Sequence, residues 1–117
     1  MRVGSVADFE RTGRVAFDHE GRELVAFRVG QEFVAFENVC PHLGGPVCEG
    51  KLARRVIAEI ARDGDVVERF SDTEISLVCP WHGFEFDLPS GVAVADARYR
   101  LRRRELKRIG DEVHVVA

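Results

Sequence analysis

"NVCPHLGGPVCEG" fills residues 38–50, and "LVCPWHGFEF" fills residues 77–86. Each stretch sets a cysteine close to a histidine among prolines and glycines: Cys40-Pro41-His42 in the first, Cys79-Pro80-Trp81-His82 in the second. Cysteine and histidine are the side chains that offer thiolate sulfur and imidazole nitrogen to transition metals. Two matched pairs suit four ligands held between two hairpin tips. The prolines stiffen such loops, while Gly44, Gly45 and Gly83 let backbone N–H groups approach a buried anion. Two plainer explanations compete. A buried cysteine is usually a small hydrophobe with no further role. A structural zinc with two Cys and two His is a second option, but zinc spacings group the cysteines together and the histidines together, and this chain does neither.

Outward from the first motif, the chain reads as short strands with turn punctuation. "RVAF" (14–17), "ELVAFRV" (23–29) and "EFVAFENV" (32–39) are rich in Val and Phe and are separated by "DHEGR" and "GQ". That pattern predicts an antiparallel meander leading into the first motif. After the second motif, "FEFDL" alternates, "PSG" turns, and "VAVADA", "YRLRRREL" and "IGDEVHVV" follow as further strand segments. The predicted class is all-β. His19 falls in a turn and His114 on the last strand, and neither has a motif around it.

Residues 51–76, "KLARRVIAEIARDGDVVERFSDTEIS", admit two descriptions. Leu52, Val56 and Ile60 recur at four-residue spacing, which permits a helix ended by Gly64. Against it, β-branched runs flank Asp63-Gly64, a strong hairpin signal. The density of β-branched residues predicts an inserted hairpin over about 51–76.

Composition bounds the rest. A chain of 117 residues, 45% hydrophobic and 32% charged, predicts one globular domain over 1–117. No apolar run approaches the ~20 residues of a membrane-spanning helix. The opening "MRVGSVADFERTG" has no apolar secretory core. Three cysteines make no disulfide framework, so the expected setting is cytoplasmic and reducing. The net charge of −3 hides a basic run at 97–108, "ARYRLRRRELKR", with seven Arg/Lys and one Glu. The run is either a docking patch or one wetted strand face. An acidic domain gives no expectation of nucleic-acid binding.

The pair C-x-H-x-G and C-P-x-H-G-x-x-F resembles the ligand motif of the Rieske [2Fe–2S] proteins, in which two His replace two Cys on one iron. The resemblance extends over nearly the whole chain: three strands before the first loop, "GGPVCEG" after it, "FEFDLPSG" after the second loop, and closing strands. It implies a Rieske-type antiparallel β-sandwich with its cluster-binding part at about 38–92. It also implies one [2Fe–2S] cluster per chain, with Cys40 and Cys79 on the inner iron and His42 and His82 on the outer one. The 36 residues between His42 and Cys79 exceed the usual family interval, and the predicted hairpin at 51–76 accounts for the excess. Cys48 is left over and reads as a buried thiol, while Trp81, Phe84 and Phe86 read as an apolar lid.

By the same resemblance the chain is a one-electron carrier rather than an enzyme on its own. It would pass electrons from a flavin-dependent reductase to a terminal oxygenase or other redox protein, and a monomer suffices for that. A small Rieske subunit of a larger oxidoreductase, like that of nitrite reductase, is the alternative, and a redox-sensing module a third. High-potential relatives carry a disulfide between the cluster loops, and a Ser and a Tyr that hydrogen-bond the cluster sulfurs. Those positions fall here on Gly45, Trp81, Phe84 and Phe86, which implies a potential near the low end of the Rieske range.

Overall fold

Strands β2 (Arg14–His19), β3 (Arg22–Val29) and β4 (Glu32–Glu37) form the expected meander, joined by two-residue turns. At the first turn Glu20 (φ 53°) and Gly21 (φ 77°) both have positive φ, the backbone of a tight hairpin turn that matches strand twist. His19 therefore ends a strand, paired with Arg22, rather than sitting in the turn. The structure is a computed structural model and describes residues 1–41, 44–80 and 84–116.

The remaining elements are β1 (Arg2–Ser5), α1 (Val6–Thr12), a single 3-10 turn (Val47–Glu49), β5 (Lys51–Ile60), β6 (Val66–Val78), β7 (Glu85–Asp87), β8 (Arg103–Ile109) and β9 (Glu112–Val115). They build two antiparallel sheets, one of six strands in the order β1-β9-β8-β4-β3-β2 and one of three in the order β5-β6-β7. The all-β sandwich is as predicted. The Asp63-Gly64 turn does join a hairpin, β5–β6, so the helical description of 51–76 is set aside.

Strands β3 and β4 explain why two cores exist. Their runs "LVAF" and "FVAF" are apolar on both faces, the mark of strands covered from both sides. Val25, Phe27, Val34 and Phe36 point into one core, shared with Ile75, Leu77 and Phe86 of the smaller sheet and with Leu88 just beyond it. Leu24, Ala26, Phe33 and Ala35 point into the other, closed by Val113 of β9 and Phe9 of α1.

Helix α1 was not anticipated, because seven residues carry no visible period. Its signals are local. The Ser5 hydroxyl accepts from the Asp8 N–H (3.3 Å), and the Ser5 N–H donates to the Asp8 carboxylate (2.8 Å), a capping box. Gly13, at φ 79°, closes the C-terminus. The helix is held by Phe9, whose ring meets Phe33 edge-on at 4.9 Å.

The segment "YRLRRREL" corrects the sequence reading. Only its second half is strand, since β8 begins at Arg103. Residues before it divide their backbone bonds between β4 and the turn that follows β7. The Leu101 N–H donates to the Gly91 carbonyl (2.8 Å), while the Arg102 carbonyl accepts from the Glu37 N–H (2.9 Å). "VAVADA" likewise makes only isolated bridges, Phe86 with Ala93 and Val92 with Arg100. No helix among the described residues is long and apolar enough to cross a membrane.

Candidate metal centre

Cys40 follows β4 and Cys79 follows β6, and each opens a loop closed by the same bond. The Cys40 N–H donates to the Gly45 carbonyl (2.7 Å), and the Cys79 N–H donates to the Phe84 carbonyl (2.8 Å). Both bonds run from a cysteine to the fifth residue after it, so the two loops are equivalent in span. Both thiols are buried, at 2% and 1% exposure, in the same apolar core as Val47, Leu77 and Phe86.

The loops also share a foundation. Lys51 pairs with Val78, so the strand leaving the first loop is hydrogen-bonded to the strand entering the second. Gly50 is pressed against that strand: a Cβ there would lie 1.8 Å from the Val78 carbonyl oxygen. Only glycine permits so close a backbone approach. Two side chains brace the junction from outside. Arg14 donates to the Cys48 carbonyl (2.7 Å) and the Gly50 carbonyl (2.8 Å), with its guanidinium over the Phe27 ring. The Asn38 side-chain oxygen accepts from the Cys48 N–H (2.8 Å), and its amide donates to Glu23 (2.8 Å). Arg14 has no motif around it, whereas Asn38 and Gly50 are the two ends of the stretch at 38–50, with no local sign that they act as supports.

Of the four predicted ligands, the structure places Cys40 and Cys79 at the bases of paired loops. His42 and His82 lie outside the described residues, as does Trp81. Phe86 is not a lid but a fully buried core residue opposite Leu77. Phe84 is half-buried, with its ring 5.3 Å from Phe86 and 5.4 Å from Tyr99. Cys48 is a buried thiol, as expected: burial pushes its pKa up to about 12, against a smaller downward pull from Arg14. It stays protonated at neutral pH.

The basic run is largely spoken for within the chain. Glu37, only 4% exposed, holds Arg22 at 2.6 Å and draws in Arg102 at 3.7 Å and Arg104 at 3.9 Å. Arg98 pairs with Asp96 (2.7 Å) and Arg103 with Glu105 (2.8 Å).

Two buried thiols at the bases of equivalent loops, in an apolar core, are donor chemistry that fits an iron–sulfur group. The Rieske [2Fe–2S] domain family matches residues 1–104. The chain belongs to this family. A [2Fe–2S] cluster is the cofactor of a Rieske domain, and the alternatives of zinc and of coincidence fall away. Among curated relatives, ferredoxin CarAc of Metapseudomonas resinovorans is 29% identical over 92 residues, covering 79% of this chain and 61% of that protein's own length. Among solved structures, a chain from the complex of reduced oxygenase and oxidized ferredoxin in carbazole 1,9a-dioxygenase superposes with a TM-score of 0.71 at 24% identity, covering 99% of this chain and 100% of that one. A ferredoxin of carbazole 1,9a-dioxygenase from Nocardioides aromaticivorans superposes at 0.70 with 20% identity, covering 99% and 95%. At these identities the solved structures establish the Rieske fold of this chain.

Proposed function

We propose that this Rieske domain is a one-electron carrier, taking electrons from a flavin-dependent reductase and delivering them to a terminal oxygenase. In this proposal Cys40 and Cys79 bind one iron, and His42 and His82 bind the other. The observation that carries the reading is the pair of equivalent loops rooted on one rung, Lys51 with Val78, each with a buried cysteine at its base. The cluster supplies reversible one-electron chemistry. The chain's part is to hold it rigidly and to keep its sulfur side dry. Gly50, Arg14 and Asn38 fix the separation of the two loops, and Leu77, Phe86 and Val47 exclude water beneath them. The structural neighbours named for carbazole 1,9a-dioxygenase support an oxygenase as acceptor. A cytoplasmic setting goes with electrons that start from NAD(P)H.

Anaerobic purification tests the reading. The protein should be red-brown with about two irons and two sulfides per chain, as the two-iron class requires. It should take up one electron from a flavin reductase and lose it on mixing with a terminal oxygenase. A colourless protein with one zinc overturns the assignment, and a stoichiometric partner that stays bound through purification makes the chain a resident subunit instead of a shuttle.

A further inference from the structure

The β5–β6 hairpin continues far beyond the support of its own sheet. Strand β7 pairs with β6 only at Ser76–Val78, so from Val56 to Phe70 the hairpin is a two-stranded ribbon among the described residues. Such ribbons are marginal in water unless one face is covered. The register places Val56 opposite Phe70 and Ile60 opposite Val66, with Ala58 opposite Glu68 between them. Alternation along the strands puts these three pairs on one face. The face is exposed: Val56 51%, Ile60 81%, Val66 66% and Phe70 67%. On the other face Ile57 is partly buried, Val67 is 50% exposed, and Glu59 and Arg69 form an ion pair at 2.9 Å. The first face carries the larger exposed apolar area, and among the described residues nothing covers it.

From these observations we infer that the hairpin is a dimerisation element and that its occupant is the same face of a second copy of this chain. Area is the first argument. At these exposures the four apolar side chains present roughly 450 Å², comparable to the largest patch of a typical monomer. Two such faces remove roughly 900 Å² before their rims are counted, within reach of the ~1,200 Å² at which specific interfaces begin. Charge is the second. Glu68 is the single ionic group on the face, so nothing there selects an oppositely charged partner. A two-fold axis along the ribbon sets Ile60 against Val66, Val56 against Phe70 and Ala58 against Glu68 of the second copy, and no like charges meet. Such an interface is self-complementary and closes at two subunits. It also leaves the cluster loops free, since Val56 lies five residues, about 17 Å of strand, beyond Lys51 at the loop base.

The test is sedimentation of the cluster-loaded protein at concentrations from about 1 to 100 µM, where mass action exposes a dimer. Wild type should sediment at twice the chain mass of 13.1 kDa. Ile60→Lys and Val66→Glu should each be monomeric, their dissociation constants raised roughly 100-fold because each change removes an apolar contact that the two-fold axis makes twice. Mixing the two variants should restore a heterodimer, because Lys at one position then faces Glu at the other. That recovery also shows that both variants are folded. A monomeric wild type at 100 µM overturns the inference, as does a dimer that survives Ile60→Lys. A monomeric wild type whose reduction by a flavin reductase is slowed by Ile60→Lys gives the face to that reductase instead.

Discussion

Cys48 shows how one residue type takes different work at three positions. Its Sγ lies 3.8 Å from both the Phe36 and Glu37 carbonyl oxygens, beneath the first loop, and burial keeps it protonated. In the cluster-loaded protein it should resist iodoacetamide at pH 8, and Cys48→Ser should keep the colour. Replacing any of Cys40, His42, Cys79 or His82 by Ala should bleach it, because metal binding and folding are coupled. The shifted thiol also has a pH signature. Its folded pKa stands at about 12 against the usual 9.0, so its contribution to stability is complete below pH 9 and shrinks as pH rises from there towards 12. Urea midpoints should therefore fall between pH 9 and 11 more steeply for wild type than for Cys48→Ala. Phe84 governs a second residue-scale property. It has no hydroxyl to donate to a cluster sulfur, so the midpoint potential should lie near −150 mV, the low end of the Rieske range. Phe84→Ser should raise it, whereas Phe86→Tyr is a poor choice because Phe86 is wholly enclosed. A wild-type midpoint above about +100 mV contradicts this assignment.

At the scale of elements, what could be read in advance and what could not separates by range. The strands and the inserted hairpin were legible because alternation, Val/Phe runs and an Asp-Gly pair are signals written into consecutive residues. Helix α1 is also local, but its message is one capping box and one anchoring Phe, too brief for periodicity. The half-strand at 99–106 misled because its backbone bonds go partly to β4 and partly to the turn after β7, and partners of that kind leave no local trace. The cysteines were legible from spacing, while the braces Arg14 and Gly50 act on atoms remote in sequence. Two substitutions test these elements. Ser5→Ala should cost about 1 kcal/mol through loss of the cap. The Asp8 carboxyl is held below its usual range chiefly by the Ser5 N–H. Its contribution is thus present above about pH 4 and lost as acid protonates it. Gly50→Ala should be far more severe, because its methyl would strike the Val78 carbonyl. A loss of about 3 kcal/mol and a cluster content well below wild type are expected, read by urea melts and iron analysis.

Across the whole molecule, charge is arranged more than accumulated. The chain is acidic at −3, yet a run of arginines lies along one side, much of it tethered to Glu37, Asp96 and Glu105. Tethered charges steer weakly. Reversing Arg98 and Arg100 together should slow reduction by a partner severalfold at about 10 mM salt. The effect should vanish above ~0.1 M, where the screening length is near 10 Å. Equal rates at low salt would make the run an ordinary solvated surface.

The shared rung beneath the two loops has a kinetic consequence. Because Gly50 and Val78 leave no slack between the strand leaving the first loop and the strand entering the second, the bases of the two loops have little freedom to relax when an electron arrives. Little nuclear rearrangement means a small reorganisation energy, so the activation barrier for transfer is low even when donor and acceptor potentials are nearly matched. Transfer would then be limited by how often and how closely partners meet, and its rate should follow solvent viscosity as an encounter does, without a conformational gate of its own.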